Sequence, residues 1–141
     1  MLKKQVLIGI PAGNNARQGP IGNAALGYIM EHGSPVNNIP ARPFLVPGVR
    51  AVEKQCAEYL KQAMRKSITE TEDKALAELT KAGLTAQNSV QDRIRSNIPP
   101  PLKPATTAAR RRRGHQGSTA LIDTGALLQS ITFVIRAKGG K

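Results

Sequence analysis

The stretch Leu45 to Ser67, LVPGVRAVEKQCAEYLKQAMRKS, carries the strongest periodic signal in the chain. Its apolar positions Leu45, Val49, Val52, Cys56, Tyr59 and Ala63 are separated by 4, 3, 4, 3 and 4 residues. That spacing puts them along one face of a helix, because residues three and four apart share a side. Arg50, Glu53, Lys54, Glu58, Lys61 and Arg65 occupy other positions. The pattern therefore predicts an amphipathic helix over 45–67.

Towards the C-terminus, a polar bridge at 69–74 is followed by a second helical pattern through Leu76, Leu79, Ala86, Val90, Ile94 and Ile98. Gly83 interrupts it, as a kink or as a boundary between two helices. Pro99, Pro100 and Pro101 end this helix, and 99–119 reads as a basic loop rich in proline and arginine. Asp123 or Thr124 is placed to cap a short helix through Leu128, with Gly125 relieving crowding. Ile131 to Arg136 reads as a strand.

Towards the N-terminus, Pro35, Pro40 and Pro43 stiffen the segment 33–43, since each fixes its own φ and pushes its predecessor into an extended conformation. Residues 21–32 form a helix that Gly33 and Pro35 stop. Val6 to Ile10 is a short strand closed by Pro11, with a loop at 11–20. No internal repeat is visible, and the chain reads as a single domain over 1–141.

A chain of 141 residues can remove roughly two-thirds of its unfolded surface from water. Its core is aliphatic: there is no Trp, with two Tyr and two Phe. Four scattered rings do not make the stacking platform of a single-strand or RNA binder. The formal charge of +12, from 21 Lys and Arg against 9 Asp and Glu, predicts attraction to DNA or to an acidic protein. That charge is uneven. Residues 50–98 are nearly balanced, with nine basic and seven acidic groups, whereas 99–117 hold five basic groups and no acid. One cysteine excludes an internal disulfide and a cysteine zinc site. The apolar run at the N-terminus is too short for a signal sequence, and no stretch approaches the roughly 20 apolar residues of a membrane span. The expectation is a protein of the cytoplasm without membrane partner or cofactor.

Asp123-Thr124-Gly125, after Leu121-Ile122, spells the signature of aspartic proteases, whose paired carboxylates share a proton. That fold needs a flap and a further glycine downstream, yet sixteen residues follow Gly125 and no second such tripeptide exists. A structural turn and cap is the preferred reading, and no catalytic residue is assigned. Arg110, Arg111, Arg112 and Arg113, with Lys103 upstream, are the densest charge and are suited to phosphates or to acids of a neighbour. His32 and His115 stand without a second metal ligand at suitable spacing, and Cys56 falls on the apolar stripe. Ser118 and Ser130 have no His and Asp company in sequence.

Three ordered blocks resemble a phage family. The first is Tyr28-Ile29-Met30-Glu31-His32-Gly33-Ser34-Pro35 with Ile39-Pro40-Ala41-Arg42-Pro43-Phe44-Leu45. The second is Pro101-Leu102-Lys103-Pro104-Ala105-Thr106, and the third is Leu121-Ile122-Asp123-Thr124-Gly125-Ala126-Leu127-Leu128-Gln129-Ser130-Ile131. Together they resemble the tail-completion and neck proteins of tailed bacteriophages, over about residues 21–136. Two departures stand out: His32 replaces a more usual aromatic, and the four-arginine run is more basic than the family's lysine-containing linker.

The resemblance implies an α+β fold. A small antiparallel sheet of the N- and C-terminal strands would pack with the long helix of 45–67 and with shorter helices. It implies a virion protein, assembled in the host cytoplasm, that forms a homo-oligomeric ring of six or twelve subunits joining head to tail. Other neck, connector and tail proteins would be its partners. On that reading Arg42, Pro43 and Phe44 make subunit contacts, and the basic loop with Lys103 and Arg110–Arg113 faces packaged DNA or an acidic neighbour. The competing class, from charge alone, is a small basic DNA-binding protein.

Overall fold

The computed structural model describes residues 3–11, 22–114 and 126–137. Their elements run β1 (Lys4–Gly9), α1 (Asn23–His32), a 3-10 turn (Pro35–Asn37), α2 (Leu45–Ala51), α3 (Glu53–Thr69), α4 (Glu72–Arg95), α5 (Pro104–Arg112), α6 (Ala126–Ser130) and β2 (Thr132–Ala137). The fold is α+β, with the two strands paired antiparallel as one sheet. The register runs from Lys4 opposite Ala137 to Gly9 opposite Thr132, with Ile8 opposite Phe133. Paired residues share a face. The face of Ile8 and Phe133 turns to the helices, while Val134 on the other face is exposed.

The predicted helix over 45–67 is two helices. The chain breaks at Val52 (φ −117°, ψ 18°), and Pro47 sits in the first turn of α2, where a missing N–H costs nothing. The stripe itself is correctly placed: Val52, Cys56 and Tyr59 are half-buried and Ala63 is fully buried. Its partner differs from the expectation. The stripe of α3 lies on α4, and it is α4 that packs against both strands.

Composition explains why α4 takes that place. Ala75, Ala82, Gly83 and Ala86 are buried along it together with Leu79, Val90 and Ile94. Small residues admit close neighbours on more than one side of a helix. Gly83, read as a kink or as a boundary between two helices, is not a boundary: α4 is one helix through it, and a Cβ there would meet the Phe133 ring at 2.3 Å. Thr71 caps the helix start, its Oγ1 accepting from the Lys74 N–H at 3.3 Å.

The core gathers Phe44, Val90, Ile94, Ile98, Leu127 and Ile131, with Ile8, Leu26, Met30 and Val49 packed around it. It is aliphatic apart from one ring, and each such side chain contributes about 1.5–3 kcal/mol when fully buried.

Gly48 of α2 meets α4 most closely, since a Cβ on it would lie 2.7 Å from Val90 Cα. An exposed helical glycine replaced by alanine gains about 1 kcal/mol, but here the obstacle is backbone. Gly48→Ala is expected to destabilise the fold by about 1–3 kcal/mol through overpacking, read as a lower urea midpoint.

The α3–α4 pair carries an ion group in which the carboxylate is buried and the two amines reach solvent. The Glu78 carboxylate, with its side chain 6% exposed, accepts from Lys66 Nζ at 2.8 Å and Lys81 Nζ at 3.1 Å. These two bonds, that from Lys66 first, hold the Glu78 carboxyl below the usual glutamate range. The same bond holds the Lys66 amine above the usual lysine range. Glu78 therefore adds stability that is complete above the ordinary glutamate value of about 4.3 and is lost as pH falls through its lower folded value. The contribution of Lys66 is complete below about 10.4 and is lost as pH rises through its higher folded value. Urea denaturation of Glu78→Gln from about pH 6 to pH 2 should show a shallower fall in stability than the parent.

Candidate functional site

Gly33 ends α1 with φ 77°, and its N–H donates to the Ile29 carbonyl at 2.7 Å. A Cβ there would press on Ala41 N at 2.8 Å, so glycine is required twice over, by its φ and by the close approach. Ser34 and Ile39 then exchange backbone bonds of 2.8 and 2.9 Å around the 3-10 turn, which Asn38 closes at φ 55°. The Arg42 N–H returns to the Met30 carbonyl at 2.7 Å. The stiffness expected of 33–43 thus comes from backbone pairing as well as from proline.

Glu31 completes this corner. Its Oε1 accepts from the N–H groups of Phe44 at 3.0 Å and Leu45 at 2.7 Å, and its Oε2 from that of Val46 at 3.4 Å. A carboxylate near the end of α1 thereby caps α2, whose own N-cap, Phe44, supplies no side-chain bond. The negative charge also complements the helix dipole.

Of Arg42, Pro43 and Phe44, expected at subunit contacts, Arg42 and Phe44 are turned inward within this chain and Pro43 is half-buried. Phe44 is 2% exposed in the core and Arg42 is 6% exposed. Arg42 Nε donates to the Pro100 carbonyl at 2.9 Å and its Nη2 to that of Pro101 at 3.5 Å. Prolines offer acceptors without donors, so a guanidinium is a natural mate for that run. The Pro43 carbonyl accepts from Arg93 Nε at 3.2 Å. The three residues tie their segment to α4 and to the proline run.

The loop expected at 99–119 contains a helix. Pro104 stands at the start of α5 and Ala105, Ala108 and Ala109 favour it. Arg110, Arg111 and Arg112 occupy the last turn, where positive charge suits the dipole. The four arginines are not equivalent. Arg110 is buried, whereas Arg111, Arg112 and Arg113 are exposed. Burial, and then the charge of Arg110, lowers the Arg42 guanidinium below its usual value.

Between the 3-10 turn, the proline run and α5 lies an open cleft of about 610 Å³. Arg42, Lys103 and Arg110 supply its charge, and Met30, Ile39 and Leu102 are among its apolar walls. Sequence reasoning singled out the three cations but did not bring Arg42 to the other two. Fifty-eight residues separate Arg42 from Pro100, and no local signal reports a contact at that range.

Asp123, Thr124 and Gly125 lie outside the described residues, as do His115 and Ser118. His32 ends α1, its ring 4.5 Å from that of Tyr28. Cys56 Sγ donates to the Ala82 carbonyl at 3.6 Å, and burial pushes its thiol up, away from the reactive thiolate. The Ser130 hydroxyl donates to the Leu127 carbonyl at 2.6 Å. Among the described residues no group of three or more His, Cys, Asp or Glu could hold a metal ion, and no helix is long and apolar enough to cross a membrane. No family model, no curated protein and no solved structure matches the chain.

Glu31→Ala leaves three N–H groups at the start of α2 without their acceptor. The expected loss is about 1–3 kcal/mol of stability, the range for a cap formed by charge-assisted bonds. Thermal unfolding of the variant beside the parent measures it.

Proposed function

We propose that the chain is a structural subunit of a tailed-phage virion, a neck or tail-completion protein that forms a ring joining head to tail, and that it is not an enzyme. The three ordered blocks support the family reading. The first of them supplies the Glu31 cap, the Gly33 stop and the inward Arg42 and Phe44, so its residues serve architecture rather than chemistry.

The observation that carries self-assembly is an uncovered apolar line on α3. Leu60, Met64 and Ile68 follow one another at four-residue spacing and are 44%, 55% and 72% exposed. Contiguous apolar surface of this kind marks association sites. A two-stranded sheet is marginal on its own and has outer edges that a neighbour can extend. Ring closure makes several weak heterologous contacts strong together. In such a ring of six or twelve, other neck, connector and tail proteins adjoin the subunit, first in the host cytoplasm and then in the virion. The exposed Arg111, Arg112 and Arg113 face packaged DNA or an acidic neighbour.

The same three arginines favour the second reading, a small basic DNA-binding protein, since each neutralises a phosphate. Sedimentation separates the two. A ring at micromolar concentration that dissociates in Leu60→Glu and Met64→Glu, with melting temperature retained, supports the first. A monomer that retards duplex DNA in a salt-sensitive way establishes the second in its place.

A further inference from the structure

We propose that the outer edge of β1 is a self-association site, on which a second copy of this chain pairs its own β1 antiparallel across a two-fold axis. Among the described residues the sheet has two strands, and no backbone hydrogen bond joins either of them to a third element. In an antiparallel pair, alternate residues turn their N–H and C=O groups away from the partner strand. Each strand therefore presents an outward row of backbone donors and acceptors. Another strand matches such a row, whereas a helix or a duplex does not.

The two edges are unlike. Edge strands are commonly blunted by charge or by proline. β2 carries Arg136 in its second half, and Lys138 follows in sequence. β1 has nothing of the kind between Lys4 and Pro11: Gln5-Val6-Leu7-Ile8-Gly9-Ile10 is uncharged, and Val6, Ile8 and Ile10 are β-branched. Such a run on an open edge favours pairing between chains. An open groove of about 330 Å³ accompanies it, lined by every residue from Leu7 to Pro11. Successive side chains alternate between faces, so the shared wall of that groove is the backbone of β1.

Gly9 points the same way. Its φ lies outside the left-handed region, and a Cβ on it would meet nothing within 4 Å. Neither backbone conformation nor crowding among the described residues requires glycine there. Glycine weakens a strand, and inside one it often marks a place where another backbone comes close.

Self-pairing also suits the charges. A two-fold axis through Leu7 sets that residue against Leu7 of the second copy, Val6 against Ile8, Gln5 against Gly9 and Lys4 against Ile10. The two Lys4 ammonium groups then lie at opposite ends of the pair, and no like charges face each other. The product is a four-stranded sheet in the order β2-β1-β1-β2. It relieves a weakness of the single chain, because two strands alone are marginal. An isologous contact of this kind closes on itself. It uses a different surface from the α3 line and does not rest on ring formation.

Amide exchange of the full chain, resolved to single residues by mass spectrometry, is compared between dilute and concentrated solution beside sedimentation. In the dimer the outward amides of β1 are expected to exchange about tenfold or more slowly than in the monomer, with those of β2 unchanged. Leu7→Lys and Leu7→Glu each set like charges face to face at the axis, and each should weaken the dimer by about tenfold or more. An equimolar mixture of the two should recover the parent's association within about threefold, a rescue that a misfolded variant does not give. Leu60→Glu with Met64→Glu, which removes the α3 line, should leave the dimer in place. Slowed exchange in β2 instead of β1, slowed exchange in neither, or a mixture that associates no better than either variant overturns the proposal. A parent that is monomeric throughout overturns it together with the ring reading, whereas a ring whose β1 amides stay fast overturns this proposal alone.

Discussion

At position 48 a Cβ would lie 2.7 Å from the Cα of Val90, so α2 and α4 meet backbone to backbone. The Ser89 hydroxyl donates to the Gly48 carbonyl at 2.6 Å and fixes that contact. With α2 held there, Phe44 and Leu45 at its start lie over the core, and the Glu31 carboxylate can reach their N–H groups. Further along the same helix, Gly83 admits Phe133 of the sheet and the Ala82 carbonyl receives Cys56 of α3. Residues without bulk on α4 are thus what let a chain of 141 residues stack four elements on one helix.

The elements themselves were largely legible. Periodicity located α3 and α4, Gly33 located the end of α1, and two short β-rich runs were paired correctly as an antiparallel sheet. What the pattern could not assign was which helix covers the sheet. The stripe of α3 is the sharper one, but its members Val52, Cys56 and Tyr59 are only half-buried, whereas the buried face of α4 is made in part of Ala75, Ala82, Gly83 and Ala86 and so stands out less in the sequence. A face lined by alanine and glycine shows little hydrophobic contrast with the polar face opposite. The α5 helix was missed for another reason: the prolines at 99–101 and the arginine run suggested a loop, while Pro104 was in fact a helix-opening residue.

The cleft was legible only in part. Lys103 and Arg110 were marked by local charge density, but Arg42 was read as a contact residue because its interior mates are carbonyls of Pro100 and Pro101. Carbonyls leave no trace in a sequence. Charge counting also treated Arg110 to Arg113 as one unit, whereas helical geometry turns Arg110 inward and leaves the other three in solvent.

The sheet joins Lys4 to Ala137, so the strand made early waits for one made late. The α3–α4 pair needs only a short link through Glu70 and Thr71, and it can form as soon as both helices exist. Strand pairing must instead close a loop that takes in nearly every other element, an entropic cost met only after those helices have docked. During synthesis β1 is therefore an unpaired edge beside an incomplete core, the state most exposed to pairing with another chain. A protein read as an assembling subunit thus passes through its most adhesive form before its own fold is closed.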